Sequence, residues 1–451
     1  MTSSVQRSIL PPLSADEQQH SAAVAALLRE AIVAAGGWLS FERFMELALY
    51  APGLGYYSAG SAKIGSGGDF VTAPEISDLF SRCVARQCAE VLSATGGGEI
   101  LELGAGTGRM AATVLQSLEA MGALPERYLI LEVSADLAER QRERLRALPD
   151  GLRRRVVWLD RLPERPVRGV VLANEVLDAL PCERFVVSSA RDLTHGSAQP
   201  VGVAGFGDPF VTESGADVGS ATAAAPGTAG GDNCGSELDA GVGNASIVEL
   251  GVSLDGDSFV ERGRVAQRDS ALATAIAALL HELPQPLPYG YASEICPRLE
   301  PWIASVGECL ERGLLLLFDY GLPRSHYYHP QRTAGTLLCH FKQFAHDEPY
   351  INVGVQDITA WVDFTRVAES AVAAGLDVAG FCTQAAFLLA TGIERLIAEA
   401  SGIVEQTRLA GEARRLLLPG EMGEAFKVMA LTRDYEAALG GFALQDLRHS
   451  L

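Results

Sequence analysis

Lysine is nearly missing from this 451-residue sequence: only Lys63, Lys342 and Lys427 occur. No Tyr-x-x-x-Lys pair can be assembled from them, which disfavours the nicotinamide-dependent oxidoreductases that rely on one. Basic charge is scarce overall. With 36 Lys+Arg against 56 Asp+Glu, the formal net charge is −20, which argues against a broad phosphate-tracking surface and hence against a nucleic-acid partner. Long apolar runs are lacking too: none reaches the roughly 20 residues that cross a bilayer, and Gly313 to Phe318 is far too short, so no membrane span is expected. The eight cysteines are scattered without a Cys-x-x-Cys or a nearby paired histidine, which signals neither a zinc site nor a disulfide framework and fits a reducing compartment. That compartment is the cytoplasm for a bacterial chain and the mitochondrial matrix for a eukaryotic one. Met1 to Gln19 has no apolar core of a secretory signal and reads as a frayed tail, residues 1–20.

What is present is an alternation of strand and helix. Residues 21–98 open with an alanine-rich helix, Ala22 to Ala35, and a second helix capped by Ser40. A Gly- and aromatic-rich segment, Tyr50 to Ser77, follows and reads as a long functional loop, with Pro74 opening a helix through Leu79, Val84 and Val91. Residues 99–187 then alternate: strands at Glu99 to Leu103, Tyr128 to Val133, Val156 to Leu159 and Gly169 to Ala173, and helices at Thr107 to Leu118 and Ala135 to Leu148. This pattern predicts an α/β fold with a Rossmann-like, mainly parallel twisted sheet. Residues 188–245 are rich in Gly, Ala, Ser and Thr and poor in large apolar side chains, so they read as a disordered insertion. Residues 246–451 supply the rest of the domain: a buried strand Leu314 to Phe318, helices at Leu299 to Glu311, Ile358 to Ala373, Thr383 to Ala398 and Val404 to Leu416, and a final strand Lys427 to Thr432.

The chemistry concentrates where strands end. Glu102-Leu-Gly104-Ala-Gly106-Thr-Gly108 places an acid and three glycines at a strand-to-helix turn, where a ligand can lie on backbone without β-carbons in its way. The third glycine comes one residue earlier than in the Gly-x-Gly-x-x-Gly of dinucleotide enzymes, and the tighter form resembles the first motif of class I methyltransferases. The next strand ends at Glu132, the usual place for a carboxylate accepting from two ribose hydroxyls. The third ends at Asp160, which either accepts from an adenine amino group, with Trp158 or Leu159 facing the ring, or is a solvated loop residue. The fourth ends in Asn174-Glu175-Val-Leu-Asp178, whose two acids would share one side of a helical turn and hold a cationic acceptor; local capping is the competing role for Asp178. Cys296 and His346 have no visible partner and read as structural.

Taken together, Tyr56-Tyr57-Ser58, Gly68-Asp69-Phe70, Thr72-Ala-Pro-Glu75-Ile-Ser77, Glu102 to Gly108, Asn174-Glu175, Asp178-Ala-Leu-Pro181, Glu294-Ile-Cys-Pro297, Asp319-Tyr-Gly321 and Asp357 to Phe364 resemble the MidA family. The resemblance spans most of Leu39 to Thr432. It departs from the family in the low-complexity stretch 188–245 and in Ile351-Asn-Val-Gly354, where a Pro-Gly turn is usual.

Membership implies a class I methyltransferase using S-adenosyl-L-methionine, and mitochondrial members that methylate an arginine of a respiratory complex I subunit during its assembly. Carried over, Gly68, Asp69 and Thr72 belong to a loop closing over the cofactor, against the simpler roles of turn formation and helix capping. Glu175 lies beside the transferred methyl group, and it orients a guanidinium, with Asp178 or Asp69 assisting. Two other readings of the same residues are an assembly chaperone that holds the cofactor without turnover and a small-molecule methyltransferase. The sequence does not give the oligomeric state.

Overall fold

In the computed structural model, residues 10–59, 71–189 and 245–451 are described. Their largest element is an eight-stranded sheet. Seven strands form its path, numbered in chain order: β1 Glu99–Leu103, β2 Tyr128–Leu131, β3 Val156–Leu159, β4 Val167–Asn174, β5 Leu310–Leu322, β6 Asp377–Thr383 and β7 Phe426–Arg433. The spatial order is β6-β7-β5-β4-β1-β2-β3, and the eighth strand, Val362–Asp363, pairs in parallel with the end of β5. All neighbours from β3 to β5 are parallel, while β7 runs antiparallel to both β5 and β6. The strand order reverses between β1 and β4, and a crevice opens at the carboxyl ends of strands on either side of such a reversal.

The central strands read as unbroken apolar runs because both faces are covered. Alternate side chains of β5 enter different cores. Leu314, Leu316 and Phe318 pack with the helices Asp78–Thr95 and Arg109–Ala120, while Leu315 and Leu317 pack with the helices Leu299–Glu308 and Phe364–Ala373. All five are essentially fully buried. At roughly 25 cal/mol per Å² of apolar surface, these two layers are the main stabilising term of the fold.

Two smaller sheets lie outside this layer structure. A five-stranded one joins Leu39–Ser40, Glu183–Ser189, Ala245–Asp255, Ser258–Val265 and Tyr291–Ile295. A three-stranded one joins Leu338–Phe341, Phe344–His346 and Asp357–Thr359. A third buried cluster, containing Phe41, Phe44, Tyr56 and Ile358, packs the helix Phe41–Tyr50 against both.

The predicted α/β core is observed, with several corrections. The segment expected as one helix from Pro74 is two, Ala73–Ile76 and Asp78–Thr95, because Ser77 is extended and its hydroxyl accepts from Leu79 N–H to cap the second. The expected helix Ile358 to Ala373 begins at Phe364, because Asp357–Thr359 pairs with Leu338–Phe341. The expected helix Thr383 to Ala398 is broken at Gly392, whose positive φ of 81° ends the first piece. The insertion expected over 188–245 is overturned at both of its ends, since Ser188 and Ser189 pair with Ser246 and Ala245 in an antiparallel ladder that continues from Phe185, Val186 and Val187. The rest of that expectation, residues 190–244, lies outside the described residues, as do residues 60–70 of the expected loop and residues 1–9 of the expected N-terminal tail. The remainder of that tail is not frayed, since the first helix starts at Ala15, seven residues before the expected Ala22, where Ser14 and Glu17 form a capping box.

Candidate active site

The turn after β1 is built from left-handed backbone. Gly104, Gly106 and Gly108 have φ of 66°, 53° and 78°, a conformation that costs an L side chain roughly 1–2 kcal/mol. Gly108 also starts the helix Arg109–Ala120, and a β-carbon there would sit 3.3 Å from Gln141 Cα.

Gln141 is fully buried and ties three parts of the turn together. Its amide nitrogen donates to Gly106 O (3.0 Å) and to Glu132 Oε2 (2.8 Å), and its oxygen accepts from Trp158 Nε1 (3.0 Å). Glu132 Oε1 accepts from Ser134 N–H at 2.9 Å. With the Val133 N–H also acting on it, the Glu132 carboxylate has three protein donors for about four lone-pair sites, which leaves acceptor capacity for a ligand hydroxyl. Burial pushes the Glu132 carboxyl up, against these hydrogen bonds. Glu102, one strand inward, accepts from Tyr128 OH at 2.7 Å and is pushed up to about 7 by burial.

These groups line one end of a cleft of about 750 Å³. Glu102, Gly104, Gly106, Glu132, Asn174 and Thr72 all face it, with Val133, Leu137 and Leu162 adding an apolar wall. Gly108 shapes the turn without lining the cleft. Thr72 precedes the short helix Ala73–Ile76 and gives it no side-chain cap, so capping does not explain its position. Glu75 from that helix accepts from Thr107 Oγ1 and seats the segment against the glycine turn. Asp160 is exposed at the end of the edge strand β3 and does not line the cleft; neither do Trp158, whose indole is committed to Gln141, or Leu159. Gly68 and Asp69 lie outside the described residues.

The other end of the cleft is acidic. Glu175, directly after β4, has φ 54° and donates its N–H to Phe318 O on β5 (2.8 Å). The segment beyond it is a turn closed by Leu180 N–H to Leu177 O (3.2 Å), not the helical turn expected from the acid spacing. It still brings Glu175 and Asp178 into one cleft. Its position is set by long-range contacts: Asp319 accepts from Leu177 and Asp178 N–H, Ala360 N–H donates to Asp178 O (3.0 Å), and Tyr50 OH donates to Ala179 O (2.8 Å).

Burial, followed by the Asp178 charge, pushes Glu175 up to about 8; the amide of Asn174, donating to Glu175 Oε1 at 3.0 Å, opposes this. Burial also pushes Asp178 up to about 6, opposed by the Tyr320 hydroxyl. Buried Asp178 Oδ1 and Asn174 Oδ1 have no hydrogen-bond partner among the described residues. Such atoms cost about 1–3 kcal/mol each unless a ligand or water satisfies them. Asp357, Tyr50, Tyr57, Tyr320, His340 and Trp361 complete this end. None is singled out as a site residue by the sequence, although Tyr57, Tyr320, Asp357 and Trp361 fall inside the motif blocks quoted above. Cys296 and His346 stay outside the cleft, and no metal-binding cluster occurs among the described residues.

A family model described as "Putative S-adenosyl-L-methionine-dependent methyltransferase" matches residues 83–382. The chain belongs to this family. A crystal structure from Burkholderia thailandensis, bound to S-adenosyl-homocysteine, is 38% identical over 98% of this chain and 100% of its own, with a TM-score of 0.81. A second structure from the same organism aligns over the same shares at 37% identity and a TM-score of 0.78. The protein arginine methyltransferase NDUFAF7 of Danio rerio is 31% identical over 34% of this chain, and the match spans only 42% of that relative. Its Drosophila melanogaster homolog is 25% identical over 93% of this chain and 87% of its own length.

The cofactor of this methyltransferase family, S-adenosyl-L-methionine, fits the residues present. The bare glycine backbone, the Glu132 carboxylate with spare acceptor capacity and the unpartnered Asn174 oxygen, a ready acceptor for the cofactor's amino group, are a donor and acceptor set for a nucleoside amino acid without phosphates.

Proposed function

We propose that the protein methylates a nitrogen of an arginine side chain in a partner protein. The observation that carries this reading is the meeting of Glu175, Asp178 and Asp357 in the cleft that Glu132 also lines. The charged groups that interact with Glu175 include Asp178, Asp357 and Asp319, all of its own sign. Among the described residues, the only Lys or Arg side chains along the cleft are Arg109, paired with Asp78 beside the glycine turn, and exposed Arg415. Buried like charges favour protonation until a cation arrives, and a guanidinium offers planar, paired donors to carboxylates. The curated relatives named as protein arginine methyltransferases agree with this acceptor, and a respiratory complex I subunit is the partner inferred from the MidA resemblance.

When bound, the cofactor's sulfonium supplies an electrophilic methyl group. The chain's own work is alignment and proton handling. Glu132 and the glycine turn fix the nucleoside end, while the Glu175–Leu180 turn fixes the acceptor end on the same rigid sheet edge. The guanidinium enters as a cation and leaves as a methylated cation, so one proton must depart from the attacking nitrogen. A carboxyl at about 8 in the absence of a cation falls as one binds, so Glu175 is ionised when it holds the acceptor and is placed to receive that proton.

Transfer of label from methyl-labelled S-adenosylmethionine into a cell extract tests the reading. Recovery of labelled methylarginine after protein hydrolysis is the expected result. Label confined to small molecules would replace this acceptor with a metabolite, and no label at all would leave a binding protein.

A further inference from the structure

The carboxylates of the acceptor end come from different parts of the chain. Glu175 and Asp178 follow β4, whereas Asp357 belongs to the small three-stranded sheet, outside the central layers. Asp357 is 2% exposed, yet its side chain lines the same cleft. Tyr57 OH donates to Asp357 Oδ1 at 2.9 Å, and Ile358 N–H donates to the same oxygen at 2.9 Å. The strand that carries Asp357 runs on to Ala360, whose N–H holds the carbonyl of Asp178. Asp357 is therefore fixed relative to the Asp178 turn by backbone, and its carboxylate is oriented by a phenol from the N-terminal region.

Aromatic side chains flank it. Tyr50 and Tyr57 stack at 5.5 Å with an interplanar angle of 23°, and Trp361, whose ring already meets the Arg332 guanidinium at 5.0 Å, lines the cleft four residues beyond Asp357. A planar, weakly hydrated cation is the ligand that both aromatic faces and carboxylates accept. The unpartnered Oδ1 of Asp178, a residue 5% exposed, points independently to a missing donor at this place. Buried acids from two separate elements are costly to bring together, and a cation between them removes that cost.

We propose that Asp357, oriented by Tyr57, is a further acceptor-binding residue that selects a cationic planar side chain over its neutral isostere. This rests on reading the acceptor as a guanidinium. In that arrangement Glu175 and Asp357 approach the acceptor from the two elements that Asp178 and Ala360 lock together. The small sheet thus sets specificity, and the glycine turn sets cofactor binding.

The test is titration of the full-length protein, saturated with S-adenosylhomocysteine, with N-ethylguanidinium and with neutral N-ethylurea. Wild type is expected to bind the cation and discriminate against the urea. In Asp357→Asn, which keeps an oxygen for Tyr57 and Ile358, affinity for the cation falls about tenfold, the equivalent of one charge-assisted hydrogen bond, and discrimination narrows. Tyr57→Phe leaves the backbone untouched and gives a smaller loss in the same direction. Both variants should retain S-adenosylhomocysteine affinity, which shows that they fold. If wild type binds the cofactor product but neither probe, the guanidinium reading itself fails and takes this inference with it. If wild type discriminates and both variants do so equally well, the guanidinium reading stands and Asp357 has no part in it.

Discussion

One carboxylate oxygen of Asp319 holds the turn that carries Asp178: Oδ2 accepts from Leu177 N–H at 2.9 Å and from Asp178 N–H at 3.3 Å, while Oδ1 accepts from Tyr320 N–H at 2.9 Å. Asp319 is 1% exposed, so these bonds are made away from water. Burial, and then the Asp178 and Glu175 charges, push its carboxyl well up. Its neighbour Tyr320 donates to the Asp178 side chain. The end of β5 thus acts as a bracket for the acceptor side of the cleft.

Asp319→Asn can satisfy Leu177 and Asp178 with its amide oxygen, but its NH₂ group then meets the Tyr320 N–H, donor against donor. The expected cost is roughly 1–3 kcal/mol of stability. Acceptor turnover should fall at least about tenfold, while affinity for S-adenosylhomocysteine, set at the Glu132 end, stays near wild type. Parallel measurement of kcat and cofactor Kd checks this; an equal fall in both would show that the turn supports the whole cleft.

Glu175 gives a stability prediction with a defined sign. Its folded carboxyl is raised to about 8, above the ordinary value of 4.5. The unfolded chain therefore releases this proton first as pH rises. The stabilising contribution is full below the unfolded value and is lost as pH climbs towards about 8. Glu175→Gln mimics the neutral form. Without ligand it should be more stable than wild type at about pH 8 and indistinguishable at about pH 4. Thermal melts of the two proteins across this range decide it; parallel curves would mean that the Glu175 carboxyl is not raised.

The same group links acceptor binding to pH. Because a cation drives Glu175 to ionise, binding of N-ethylguanidinium below about pH 8 should release a proton and tighten as pH rises, then level off. Calorimetry in buffers of different ionisation enthalpy measures the proton count directly. No dependence on the buffer would place the cation away from Glu175.

At the nucleoside end, Gly108→Ala forces a β-carbon against Gln141 in a left-handed conformation. The strain should cost about 1–2 kcal/mol and displace Gln141 from Gly106 and Glu132. Cofactor affinity should then drop, as it should in Glu132→Ala, where about tenfold or more is expected from lost charge-assisted bonds. Retained affinity in Glu132→Ala would move the ribose contacts to other residues.

The glycine-turn end of the cleft was largely legible in the sequence, because Glu102 to Gly108 are consecutive and Glu132 follows the next strand directly. An acid, three glycines and a carboxylate at the end of the following strand are local features, and β1 and β3 were bounded correctly from their apolar runs. The acceptor end was legible only in part. Glu175 and Asp178 stand in one motif, but the turn between them is imposed by Asp319, Ala360 and Tyr50, which lie far away in the chain. Asp357 was hidden because Asp357–Thr359 is too short to show a strand period, which left it one residue outside the helix expected over Ile358 to Ala373. Of the two roles open to Asp160, its exposure fits the solvated one: it stands at a strand end, but β3 is an edge strand.

Whether Glu175 supports arginine methylation in the cell is decided by proteomics. Cells lacking this protein, complemented with wild type or with Glu175→Gln, should be compared by mass spectrometry for methylated arginine. At least one arginine site should be methylated with wild type and unmethylated with the variant, although the purified variant still binds S-adenosylhomocysteine. Identical arginine methylation in all three strains would contradict that role of Glu175.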